Sequence, residues 1–178
     1  MNEKNIVLIG FMGTGKTTTG RTLAERLNRK FLDSDYCIEE RYKMSILDIF
    51  ALYGEERFRK LEQDTINDIS REKNAVISTG GGIVLKEENI IKLRENGKLY
   101  LLSGSLETII SNLKASTDDR PLLNGKDWII NVEKLLNFRL HLYHNAADYI
   151  VDINKKSTLN IVDEILKIHC NIKPYKMI

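Results

Sequence analysis

The chain has 178 residues, which fits one domain of the usual ~100–200 residues and leaves no room for a large mechanical module. Its 27 Lys and Arg and 25 Asp and Glu are interspersed and leave a net charge of +2, so no basic stripe argues for nucleic acid or another polyanion. A 42% hydrophobic content supports a packed core, while the apolar N-terminal stretch is too short to cross a bilayer, so no membrane partner is expected. Cys37 and Cys170 lie far apart with no CxxC pairing, which reads as reduced thiols in a cytoplasmic protein.

Short apolar runs alternate with longer amphipathic segments. Residues 5–9 (NIVLI) form a β-branched run stopped by Gly10, the pattern of a strand buried on both faces. A helix is predicted over 16–27, then a short strand over 31–33. Residues 45–70 are mostly helical, with Ser45 and Asp48 in capping positions and a break near Gly54. A buried strand at 75–78 (AVIS) ends in Gly80-Gly81-Gly82, followed by a helix over 87–95 and a strand over 98–102 (KLYLL). Ser105 caps a helix starting there, and 115–126 is a polar loop. A helix over 128–146, a strand over 149–153 and a helix over 157–169 complete the pattern; in the last, Leu159, Val162, Ile165 and Leu166 share one face, and His169 is expected at the surface. Strands alternating with helices imply βαβ units. The expected fold is α/β, a three-layer arrangement with a five-stranded parallel sheet and helices on both faces, as a single domain over 1–178.

Gly10 to Thr17 (GFMGTGKT) matches the phosphate-loop pattern G-x-x-x-x-G-K-[ST], and it follows a strand and opens a helix as that pattern requires. Glycines at 10, 13 and 15 allow successive N–H groups to converge on phosphate oxygens, and the helix start adds its positive dipole end. Lys16 should reach the β- and γ-phosphates, and the Thr17 hydroxyl should ligate Mg²⁺. No guanine-specific NKxD signature accompanies the loop, so a small-molecule kinase is the remaining class.

The acceptor side is distributed. Asp33 and Asp35, spaced by two at the end of the second strand, project the same way if the strand continues. They suit a metal-bound water and an acceptor hydroxyl, or a helix cap before Tyr36; both roles can hold together. Arg59 and Glu62 share a helix face, so the glutamate can orient a guanidinium suited to bidentate capture of a carboxylate. The glycine triplet offers exposed backbone N–H groups at a sheet edge. Arg120, in the longest polar loop, can meet charge on a transferring phosphoryl if that loop closes as a lid. Arg139 and Tyr143 share a face of the penultimate helix.

Taken in order, GFMGTGKTTTGRTLA, FLDSD, GEERFRKLE, STGGG, RPLL and the run Arg139, Tyr143, Ala147, Asp148 resemble the shikimate kinase family over almost the whole chain. The resemblance implies a nucleoside-monophosphate-kinase-like fold, with an acceptor-binding region over about 34–62 and a lid over about 115–126. It implies ATP-dependent phosphorylation of the shikimate 3-hydroxyl in chorismate biosynthesis. ATP would be cradled by Gly13, Thr14, Gly15, Lys16, Thr17 and Thr18, with Arg120 from the lid, and Thr17 and (through water) Asp33 would hold Mg²⁺. Asp35 would bind the acceptor hydroxyl as candidate base, Arg59 and Arg139 would clamp the carboxylate, and Gly81 would contact ring hydroxyls through its backbone. A monomer suffices for this chemistry. One departure is His141, where the family often has proline; another is Asp118 and Asp119 in the lid. The competing readings are a gluconate-type or nucleotide kinase, which has no use for Asp35 with both arginines, and a non-catalytic nucleotide-binding module.

Overall fold

The computed structural model describes residues 4–116, 125 and 127–170. Five strands, β1 (Asn5–Ile9), β2 (Lys30–Asp33), β3 (Ala75–Ser78), β4 (Gly97–Ser103) and β5 (Tyr149–Asp152), form one parallel sheet in the order β2-β3-β1-β4-β5. The helices are α1 (Lys16–Leu27), α2 (Ser34–Tyr42), α3 (Ile46–Ile69), α4 (Glu87–Asn96), α5 (Leu106–Ala115), α6 (Trp128–Ala146) and α7 (Thr158–His169).

Alternation along the strands divides the core between two faces. Val7 and Ile9 of β1, Ala75 and Ile77 of β3, and Leu99 and Leu101 of β4 point to a cluster completed by α3, α4, α5 and α6. Ile6, Leu8, Val76, Tyr100 and Leu102 point the other way, onto Leu23 and Ala24 of α1 and Ile161, Val162 and Ile165 of α7. The three layers expected from the sequence are therefore present. A separate small cluster, Ile38, Ile49, Phe58 and Leu61, joins α2 to α3 beside the sheet. The chain builds one half of the sheet from β1 through β3 and the other with β4 and β5. A crevice thus opens at the C-terminal end of β1, where ligands of such sheets bind.

The predicted caps are present: Ser45 Oγ accepts from Asp48 N and Ser105 Oγ from Thr108 N; Ser157, read from the sequence as part of the last helix, caps it by accepting from Asn160 N. Gly54, with φ 75° and ψ 176°, breaks α3 where the sequence suggested. Three expectations need correction. Asp35 lies not on a continuing strand but in the first turn of α2, because Asp33 Oδ1 accepts from the N–H groups of Asp35 and Tyr36 and starts a helix. The helix cap before Tyr36 that the sequence also allowed is the one formed, on Asp33; the helix it starts buries only Ser34 and Ile38 and shows little apolar periodicity. Leu159 is 53% exposed, outside the buried stripe of α7. His169 is buried, with Nδ1 2.9 Å from the Tyr100 hydroxyl and Nε2 3.4 Å from Arg29 Nη1. Since arginine only donates, Nε2 accepts and the imidazole is neutral; burial and the Arg29 charge hold its pKa below the usual value.

Candidate active site

The phosphate loop is shaped by backbone conformation. Gly13 and Gly15 sit at φ 77° and 80°, in the left-handed region, and a Cβ on Gly10 would lie 2.6 Å from the Leu102 carbonyl oxygen. Lys16 Nζ folds over the loop and donates to the carbonyls of Gly10 and Phe11, both at 2.8 Å. Thr14 Oγ1 donates to the Phe11 carbonyl at 2.8 Å, and Asn112 Nδ2 of α5 donates to that of Gly13 at 2.8 Å. Asn112 was not singled out from the sequence, and an isolated Asn on a helix carries no signal that it should have been.

Thr17 and Thr18 lie exposed in the first turn of α1. Thr17 Oγ1 donates to Asp33 Oδ2 at 2.9 Å, so the two candidate metal-site oxygens meet at the mouth of the loop. Beside Thr14 and Gly15, a cavity of about 430 Å³ runs between α1, α5 and the residues after β5, with Thr108, Asn112 and Lys155 on its wall.

The acceptor half is assembled around the glycine triplet. Thr79 anchors the triplet to β1 by donating its N–H and its hydroxyl to the Leu8 carbonyl, at 3.2 and 3.0 Å. Gly80 N donates to the buried Ser34 Oγ at 2.9 Å, which ties the turn to α2. Each glycine then abuts a different part of the site. A Cβ on Gly80 would lie 2.5 Å from Asp35 Oδ1, and one on Gly81 would lie 3.4 Å from Met12 N of the phosphate loop. One on Gly82 would lie 2.7 Å from Arg59 Cζ. A side chain at Gly80 or Gly82 would collide with Asp35 or Arg59, whereas at Gly81 it would make an ordinary contact with the phosphate loop.

Asp35 as a residue is half-buried, but its Oδ1 is enclosed and has no hydrogen-bond partner. Burial pushes its carboxyl up to about 7, helped by the negative charges of Asp33 and Glu62 and opposed by Lys16. Glu62 is fully buried and holds Arg59, whose Nη1 donates to both Glu62 oxygens at 3.0 and 2.9 Å. Burial raises the Glu62 pKa; Arg59, and then Arg139, pull it back. Arg139 Nη1 donates to the Gly81 carbonyl at 3.2 Å, its Nε is buried without a partner, and the Tyr143 hydroxyl donates to the same carbonyl. Burial pushes the Tyr143 hydroxyl up to about 12, with the Arg139 charge opposing.

Arg139 bonds Gly81 and Arg59 packs against Gly82, so the two arginines lie on the same side of the molecule, and Glu62 feels the charge of both. His141 does not interrupt α6, which runs unbroken past it, and Arg139 still reaches the triplet. Arg120, with the rest of the RPLL motif, Asp118 and Asp119, lies outside the described residues. The residues that sequence reasoning passed over are Ser34, Asn112 and Glu55; the last donates nothing but accepts from Arg59 Nε and Nη2.

Residues 12–169 match the family model for shikimate kinase. The chain belongs to the shikimate kinase family. It is 44% identical to the shikimate kinase of Caldanaerobacter subterraneus subsp. tengcongensis over 96% of this chain and 98% of that one. The corresponding figure for the shikimate kinase of Caldicellulosiruptor saccharolyticus is 43%, over 93% and 95%. Its fold superposes on the shikimate kinase of Acinetobacter baumannii in complex with shikimate with a TM-score of 0.89, at 34% identity over 97% of this chain and 96% of that one. As a shikimate kinase family member it is an ATP-using phosphotransferase with an alcohol acceptor. Among the described residues, no helix is long and apolar enough to cross a membrane.

Proposed function

We propose that this chain transfers the γ-phosphoryl of ATP to the 3-hydroxyl of shikimate, giving shikimate 3-phosphate and ADP on the route to chorismate. The observation that carries the reading is the glycine triplet, which brings Asp35, the phosphate loop, Arg59 and Arg139 to successive residues of one turn. Phosphoryl transfer asks for in-line positioning and neutralised charge more than for covalent chemistry, and a phosphate loop beside Asp35 and two arginines supports that reading.

The backbone of Gly13 to Thr18 binds the phosphates, and the cavity beside Thr14 takes the nucleoside. Lys16 exchanges its contacts with the Gly10 and Phe11 carbonyls for the β- and γ-phosphates. Thr17 Oγ1 and Asp33 Oδ2 are hard oxygen donors 2.9 Å apart, which fits Mg²⁺ held by the hydroxyl directly and by the carboxylate through water. Bound there, the ion offsets phosphate charge. Arg120 is assigned to the transferring phosphoryl on its motif alone. Arg59 and Arg139 grip the substrate carboxylate, the Gly81 backbone meets the ring hydroxyls, and the reacting hydroxyl faces Asp35. Its proton passes to the Asp35 carboxylate, whose pKa of about 7 matches a group that must accept and then release a proton near neutrality. Unpaired thiols at Cys37 and Cys170 support a cytoplasmic setting.

A substrate panel with coupled ADP detection tests the assignment. Shikimate should turn over at least about tenfold faster than gluconate or nucleoside monophosphates, because those anions do not place a hydroxyl at Asp35 while their charged group sits on both arginines. Equal turnover across the panel would overturn it.

A further inference from the structure

Arg59 carries two carboxylates, and they are not equivalent. Glu62 is fully buried and takes Nη1. Glu55 takes the opposite edge: Nε and Nη2 donate to its Oε1 at 3.3 and 3.1 Å. That edge is the parallel donor pair a carboxylate engages side-on. The Glu55 side chain is 62% exposed, whereas that of Arg59 is 12% exposed. Gly54, immediately before it, breaks α3 with φ 75° and ψ 176°, and a Cβ there would meet nothing within 4 Å. Glu55 thus follows the joint of α3 with its side chain largely in solvent, while Glu62 is fixed in the core.

We propose that Glu55 is a replaceable stand-in for the substrate carboxylate, holding the side-on edge of Arg59 until shikimate displaces it. The inference rests on the reading above, in which Arg59 receives that carboxylate. An arriving carboxylate takes over the Nε and Nη2 bonds, and Glu55 swings into water, where an exposed ion pair loses little. Glu62 cannot make this exchange, because its departure would strand a buried charge. A ligand without a carboxylate leaves the Arg59–Glu55 pair intact and forgoes the arginine. Glu55 is therefore a specificity-determining residue that sets how much carboxylate binding is worth, without touching the reacting atoms.

Wild-type turnover of shikimate is measured first, followed by steady-state kinetics and calorimetric titration of Glu55→Gln and Glu55→Ala. Both variants should lower KM and Kd for shikimate about two- to fivefold, the range expected for removing an exposed competing ion pair. kcat, KM for ATP and the affinity for shikimate methyl ester should stay as in the wild type. Unchanged or weakened shikimate binding in both variants overturns the stand-in role, as does equal tightening of the ester. If the wild type fails to turn over shikimate, the substrate assignment itself falls and takes this inference with it. Normal wild-type turnover without tightening in the variants rejects the stand-in role alone.

Discussion

The phosphate loop and the acceptor pocket face each other across the Gly80–Gly82 turn, and they are built in opposite ways. The loop is eight contiguous residues whose proposed phosphate-binding groups are mostly backbone N–H, shaped by local torsions at Gly13 and Gly15 and latched by Lys16 on its own carbonyls. The acceptor pocket draws single side chains from α2, α3 and α6 onto the triplet, and its main charges, Asp35, Glu62, Arg59 and Arg139, act on one another through a partly buried space. A backbone cradle tolerates loss of one contributor, because several N–H groups share the load. A pocket of individual charges does not, because each removed partner leaves another charge or polar atom unsatisfied.

That contrast can be broken most sharply at Asp35. Asp35→Asn should lower kcat by about 10²- to 10⁴-fold, the usual range for a lost acid–base group, with ATP affinity unchanged by calorimetry. It should also change how stability depends on pH. The folded carboxyl titrates at about 7, above the unfolded value of about 3.9, so the native state holds the extra proton between them. Its contribution is fully present below the unfolded value and is lost as pH rises through 7. Thermal unfolding from pH 4 to 8 should therefore show a shallower decline for the variant than for the wild type. Identical slopes would mean that Asp35 is an ordinary exposed carboxylate.

A smaller effect is expected at Arg139. Its Nη1 bond to Gly81 and the open Nε suit a second carboxylate contact, so Arg139→Ala should raise KM for shikimate about 10- to 100-fold, as for a lost charge-assisted bond. KM for ATP should hold. A comparable rise in both constants would show that the two halves are not separable. The smallest change belongs to the loop itself: Asn112→Ala removes one bond to the Gly13 carbonyl and should raise KM for ATP about two- to tenfold, leaving shikimate untouched.

The two halves also differ in how legible they were. The loop, its flanking strand and its helix were readable as written, since each depends on neighbours along the chain. Arg59 with Glu62 was readable from helical spacing, and the pairing is present. Glu55 was not, although it lies four residues from Arg59, because an exposed i, i+4 pair looks like any solvated helix surface until Gly82 is seen packed against the guanidinium. His169 misled for a related reason. A histidine near the end of an amphipathic helix looks exposed until Tyr100 of β4 and Arg29 are seen to meet its two ring nitrogens.

From residue order alone came the alternation of five strands with helices and the phosphate loop, because hydrophobic period, capping residues and glycine placement act over a few residues; the roles of the acceptor residues came from the resemblance of their motifs to a family. Tertiary structure alone decided that the triplet touches three parts of the site and that the Asp35 carboxyl is pushed up to about 7. Those properties depend on desolvation and on charges brought from distant segments, and neither quantity exists until the sheet has closed around them.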